Sequence, residues 1–255
     1  MKIISASLLL AVGALAVMTS FAAAPAGGRG RGGTVPTGPR TTVSSLTRPA
    51  TPTAASDEKG FLRRWLVLEP IRGNGLVTDS GVQAAAKKEY FPNQMSVIPH
   101  DGDKVAVDGT ELTWHAVDAL TYNVNLYHFA FYGGLQSSNA VFWAVTVVNC
   151  PEERKDVRLA IGCNSGTVWW VNGQEVVGVY GDRQTVIDDG VSKRSTLHKG
   201  PNVVRVVVVN NGGWCDFCAR FLDADDKPIT GLSLTLESPS NSTTSPSSQS
   251  PARQP

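Results

Sequence analysis

The chain has 255 residues, and its 23 basic and 22 acidic side chains leave a formal net charge of +1. So balanced a charge provides no global field to draw the protein to nucleic acid or to an anionic membrane. The length allows one substantial folded domain whose core needs neither metals nor disulfides to hold it together.

Residues 1–24 read as a secretory signal. Lys2 is the positive start, Ile3 to Val17 is an apolar core, and Ser20-Phe21-Ala22 or Ala24-Pro25-Ala26 offers small residues for cleavage. The apolar core is shorter than the roughly 20 residues of a membrane span. The expected destination is therefore secreted, periplasmic or cell-surface, with no membrane insertion once the signal is removed. Residues 25–58 are dominated by Gly, Pro, Thr, Ser, Ala and Arg and are expected to form a disordered linker. Gly28, Gly30 and Gly33 spell G-x-G-x-x-G, but no strand precedes them and no amphipathic helix follows, so no dinucleotide site is expected. Residues 238–255 form a Ser/Pro-rich tail, also expected to be disordered, that includes the sequon Asn241-Ser242-Thr243.

The folded domain is expected over residues 59–237. Phe61 to Ile71 reads as a first strand. Asp79-Ser80 then caps a helix running to Tyr90, with Val82, Ala85, Ala86 and Tyr90 near one face and Pro92 ending it. A short hairpin turns at Asp108-Gly109. Tyr122 to Tyr132 reads as an alternating aromatic strand, and Phe142 to Val148 as a nearly continuous apolar one. Val157 to Ile161 follows. The apolar runs flanking Asn172-Gly173 read as a hairpin, because both turn positions tolerate positive φ. Short strands are expected over residues 185–187 and 194–197. Lys199-Gly200-Pro201-Asn202 opens into Val203 to Val209, whose consecutive β-branched residues suit a half-buried sheet. Phe217 to Leu222 and Leu232 to Leu236 complete roughly ten strands by pattern count. No repeated βαβ pattern occurs, so the fold class is all-β, an antiparallel two-sheet β-sandwich with one short helix near its N-terminal side.

Catalytic signatures are missing. There is no G-x-S-x-G elbow: Gly162-Cys163-Asn164-Ser165-Gly166 has the glycines but a misplaced serine. His100, His115, His128 and His198 lack metalloprotease spacing. Asp188-Asp189 is the notable carboxylate pair, but adjacent side chains on a strand diverge, which suits a turn better than acid/base chemistry. No catalytic residue is therefore assigned. No cofactor is firmly indicated; a structural calcium is the one candidate, with Asp101, Asp103, Asp188 and Asp189 as possible ligands. Cys215 and Cys218 have C-x-x-C spacing without the context of a redox site. With Cys150 and Cys163 they make an even count of four that permits three disulfide pairings or buried free thiols.

The stretch from Ala160, reading AIGCNSGTVWWVNGQEV, and the later KGPNVVRV resemble the galactose-binding-like jelly-roll modules found beside secreted carbohydrate-active enzymes. A closer resemblance runs from Phe61 to Leu236. The segments FLRRWLVLEP, YFPNQ, DDGVS and DFCARFLD are similar to the accessory domain of bacterial acetylxylan-esterase-type proteins. That resemblance implies a galactose-binding-like jelly roll associated with plant-polysaccharide breakdown. The family's esterase domain has no counterpart in the sequence, and the family usually has serine at the position of Cys163.

Sugar recognition needs flat aromatic faces for C–H-rich rings and forked polar groups for hydroxyls. The candidates are Trp114, Trp170, Tyr180, Asp182, Arg183 and Trp214. Trp169 and Trp170 are neighbours on a strand, so one faces the core and the other faces solvent or a second layer. Trp214 follows Asn210-Asn211-Gly212-Gly213 in a loop, where binding residues concentrate. The expected function is a non-catalytic carbohydrate-binding module acting on polysaccharide or oligosaccharide, with a separate carbohydrate-active enzyme as the candidate partner. The alternatives are a carbohydrate esterase of acetylxylan type and a structural cell-envelope interaction module.

Overall fold

The computed structural model describes residues 44–73 and 77–237. The signal expected at 1–24, the linker as far as residue 43 and the tail from residue 238 lie outside the described residues. The larger sheet holds eleven strands. They are β1 (Leu46–Thr47), β2 (Thr53–Ala55), β3 (Arg64–Leu68), β4 (Ile71–Arg72), β5 (Lys104–Val107), β6 (Thr110–Ala119), β8 (Ala140–Cys150), β10 (Gly166–Val171), β11 (Gln174–Val179), β14 (Gly200–Asn210) and β16 (Ser233–Thr235). The smaller, five-stranded sheet holds β7 (Val124–Asn125), β9 (Arg154–Cys163), β12 (Gly190–Val191), β13 (Ser195–Leu197) and β15 (Asp216–Leu222). Two helices are present among the described residues, α1 (Asp79–Lys87) and α2 (Leu126–Tyr132). The all-β, antiparallel two-sheet reading is correct.

The alternation of side chains along β14 explains the layering. Val204, Val206 and Val208 point between the sheets, where they meet Trp65, Trp169 and Phe217. Those three rings pack edge to face at 5.0–5.9 Å. Val207 and Val209 point the other way, into a second apolar layer on the outer face of the larger sheet. That layer contains Trp143 and Trp170 and is covered by α1 and by Tyr90, Phe91, Leu112 and Trp114. A sheet buried on both faces reads as a continuous apolar run, which is why β8 shows no alternation.

The Asn172-Gly173 hairpin forms as expected, with positive φ at both residues (51° and 82°) joining β10 to β11. α1 starts one residue earlier than expected: Thr78 is the cap, its hydroxyl accepting from the Gly81 N–H at 3.2 Å. It also ends at Lys87, leaving Tyr90 and Phe91 as buried loop residues. Its docking depends on Gly166, where an added Cβ would come within 2.3 Å of Val82.

Three sequence expectations need correcting. Residues 44–58, assigned to the linker, contribute β1 and β2, which pair with β6 and β16. Backbone ladder bonds hold them, and these carry no compositional signature. Residues 185–187 are not a strand, and Val186 and Ile187 are exposed. The expected strand from Tyr122 to Tyr132 is in fact β7 followed by α2. All four cysteines are free and buried. Burial pushes the Cys163 and Cys218 thiols up to about 12 and Cys215 well above its ordinary value, so these three stay protonated and inert. No helix among the described residues is long and apolar enough to cross a membrane.

Candidate functional site

The site is built on α2. The Asn125 side chain accepts from the His128 N–H at 2.7 Å and caps the helix. Leu126 and Ala130, one turn apart, are fully buried and seat α2 on the main core. Gly133 and Gly134 close it, donating to Phe129 O and Phe131 O, both at 3.2 Å. The adjacent face, about 100° round the helix, carries Tyr127 and Phe131, also one turn apart, whose rings stack at 6.0 Å and 11°. The Tyr127 N–H donates to Cys215 O at 2.9 Å and ties the helix to the loop carrying Trp214.

Trp214 leans on Tyr127 (5.0 Å between centroids) and on His128 (6.1 Å). Tyr132 meets the edges of His128 at 5.6 Å and Phe131 at 5.2 Å. This cluster is on the surface, with Trp214 59% exposed, Phe131 49% and Tyr132 43%. A monomer seldom leaves so many large rings together in water unless the patch has a use.

A cleft of about 380 Å³ opens beside the rings, and His128 and Tyr132 belong to both. Its other walls carry Arg48, Asp101, His115 and Phe129. Arg48 pairs with Asp101 at 2.6 Å, and Asp101 also accepts from the Ala116 N–H at 2.8 Å. Burial alone would raise the Asp101 carboxyl, but these two contacts outweigh it and hold the group below its ordinary range. His115 Nε2 lies 3.1 Å from Glu69. The Ser45 N–H and hydroxyl both donate to His128 Nδ1, at 3.2 and 2.9 Å. The backbone N–H can only donate, so the His128 proton sits on Nε2. The cleft thus combines aromatic faces with fixed donors and acceptors whose charges are paired. No carboxylate hydrogen-bonds His128 among the described residues, so the Ser45–His128 contact lacks the orienting third group of a hydrolytic triad.

Of the six sugar-site candidates, Trp214 alone is part of this surface. Trp114 is 3% exposed and packs edge-on against Phe91 at 6.1 Å beneath the outer layer, so it offers no face to a ligand. Trp170 is 6% exposed, with one face stacked on Trp143 at 5.6 Å and 20°. Both correct the expectation of accessible rings, because the outer face of the larger sheet is itself a covered core. Tyr180 is half-buried against that layer and accepts from the Gln83 amide. Asp182 is exposed, and Arg183 is engaged by Asp189.

The calcium candidates are held by other partners. Arg220 takes Asp188 in a two-pronged contact, Arg183 takes Asp189, Arg48 takes Asp101, and Asp103 accepts from the His100 N–H at 2.7 Å. No group of three or more His, Cys, Asp or Glu side chains suited to a metal occurs among the described residues. Tyr127, His128, Phe131 and Tyr132 were missed because their stretch reads as a strand. The signal that could have found them is the Asn125 cap followed by an apolar pair at Leu126 and Ala130.

No family model and no curated protein matches this chain. Among solved structures, it is similar to the PA14 sugar-binding domain from an RTX adhesin, at 17% identity over 67% of this chain and 96% of that one, with a TM-score of 0.38. It is also similar to the PA14 domain of the MpAFP antifreeze protein, at 15% identity over 69% and 93% of the two chains, TM-score 0.38. A third similarity is to a β-glucosidase from Kluyveromyces marxianus, at 18% identity over 60% of this chain and 19% of that enzyme, TM-score 0.36.

Proposed function

We propose that the protein is an exported, non-catalytic carbohydrate-binding module that holds plant polysaccharide of the xylan type, working beside a separate carbohydrate-active enzyme. The observation that carries the reading is Trp214, 59% exposed and braced by Tyr127 and by His128, the second of which also lines the adjoining cleft. A pyranose presents a flat C–H face and a rim of hydroxyls, and this surface pairs rings with fixed hydrogen-bonding groups in the same way. Covering the exposed part of one indole, on the order of 100–150 Å², contributes roughly 3 kcal/mol at about 25 cal/mol per Å². The xylan preference and the enzyme partner rest on the motif resemblance between Phe61 and Leu236. Binding is favoured over hydrolysis because the Ser45–His128 contact has no orienting carboxylate.

The test is retention on insoluble xylan with acetate release followed in parallel. The wild type is expected to be retained without releasing acetate, and Trp214→Ala to lose at least about tenfold in affinity as one stacking surface goes. Equal retention of the two proteins would remove Trp214 from the reading. Acetate release abolished by Ser45→Ala would replace binding with catalysis.

A further inference from the structure

Two arginines are buried among the described residues, and their surroundings differ sharply. Arg64, 2% exposed, forms a two-pronged pair with Asp118 at 2.8 and 2.7 Å and also donates to Thr51 O at 2.7 Å. Arg205, 3% exposed, makes one hydrogen bond, from Nη2 to Val97 O at 2.8 Å. Its Nε has no partner among the described residues. A carbonyl satisfies a donor but does not neutralise a charge, and an uncompensated buried charge is strongly destabilising.

No acidic side chain of this chain supplies the counter-charge in this structure. All 22 aspartates and glutamates lie between Asp57 and Glu237, within the described residues, and none pairs with Arg205. Burial pulls the guanidinium down only to about 10, which leaves it charged at neutral pH. Around it, β14 places Arg205 directly across from Trp170 on one side and Val145 on the other. Trp170 stacks on Trp143, whose indole Nε1 is a second buried donor without a partner. Trp170 also lines a cleft of about 550 Å³ together with Asn93, Met95 and Ser96, residues of the turn whose Val97 carbonyl holds Arg205.

We propose that Arg205 is the centre of an anion site on the outer face of the larger sheet: a compact monoanion, a halide or a carboxylate group, enters past Trp170 and pairs with the guanidinium beneath the turn at residues 93–97. Guanidinium donors suit such a ligand. Lys87, Glu89 and Glu175 line the same cleft, and their net charge of −1 repels anions in proportion to their charge, so polyanions are disfavoured most. The site is separate from the α2 surface and stands whether or not that surface binds glycan.

The experiment is thermal unfolding of the full chain in sodium bromide, acetate or glucuronate against sulfate at matched ionic strength. The wild type is expected to gain roughly 5–10 °C when the monoanion exceeds its Kd about a hundredfold. Arg205→Met, which keeps the volume and removes the charge, is expected to show no such gain. Bromide and acetate acting alone identify a free-anion site, while glucuronate acting more strongly identifies the carboxylate of an acidic sugar. Equal shifts in both proteins would overturn the proposal. Should Arg205→Met not fold, anomalous diffraction from bromide-soaked wild-type crystals decides, and no bromide at the guanidinium would end it.

Discussion

Two aromatic regions of this protein show how differently the same residue types can be used. Trp169 and Trp170 lie on β10, a central strand of the larger sheet, and both faces of that strand are covered. Their rings meet other rings, at 5.4 Å for Trp169 on Phe217 and 5.6 Å for Trp170 on Trp143. Tyr127, Phe131 and Trp214 lie at the edge of the smaller sheet, on a seven-residue helix and the loop tied to it. Their rings also meet each other, yet Phe131 and Trp214 remain open to water and Tyr127 is only half-buried. Ring-to-ring contact therefore does not separate core from site; coverage by a second layer does.

Substitutions should expose that division. The largest effect is expected for Trp169→Ala, which empties the centre of the main core and should cost about 3–5 kcal/mol in urea unfolding. Asn125→Ala removes the cap of α2 and should cost about 1 kcal/mol, with glycan retention weakened as the rings lose their common support. A stability loss without any loss of retention would uncouple α2 from the site.

A smaller effect concerns pH. Burial raises the Asp216 carboxyl above its ordinary value, partly offset by the Thr185 hydroxyl and the Asn123 amide, which donate to it. The folded state therefore binds this proton more readily than the unfolded chain. Its contribution to stability is greatest below the ordinary aspartate pKa and is lost as pH rises through the raised folded value. Asp216→Asn should flatten urea-derived stability across that interval, and an unchanged slope would show that Asp216 does not titrate there. Asp101 acts with the opposite sign: its stabilisation is present above the ordinary value and is lost as pH falls through the lowered one. The smallest stability effect is expected for Trp214→Ala, within about 0.5 kcal/mol because the ring is mostly in solvent. A loss comparable to that of Trp169→Ala would place Trp214 with the core.

Much of the sandwich is legible in the sequence alone. The turn at Asn172-Gly173 and the β-branched run of β14 are local devices, and they specify their strands without help. The candidate site was far less legible. From Tyr122 to Leu126, apolar residues at every second position (Tyr122, Val124, Leu126) mimic a strand, while the Asn125 cap and the Leu126–Ala130 pair specify a helix, and the helix is what packs. Trp214 was found because a Gly/Asn loop precedes it, and Trp114 was misassigned because nothing local signals that a second layer covers β6.

By itself, then, the order of amino acids determined strand-forming stretches, their turns, the β-sandwich class and the exposure of one loop tryptophan. These follow from φ preferences and side-chain shape within a few neighbouring residues. Only the tertiary structure decided that the larger sheet is buried on both faces, that residues 44–58 pair at its margins, that an aromatic helix flanks Trp214, and that Arg205 is buried without a carboxylate. Each of those depends on contacts between residues far apart in the chain, where burial and pairing are set by what arrives from elsewhere.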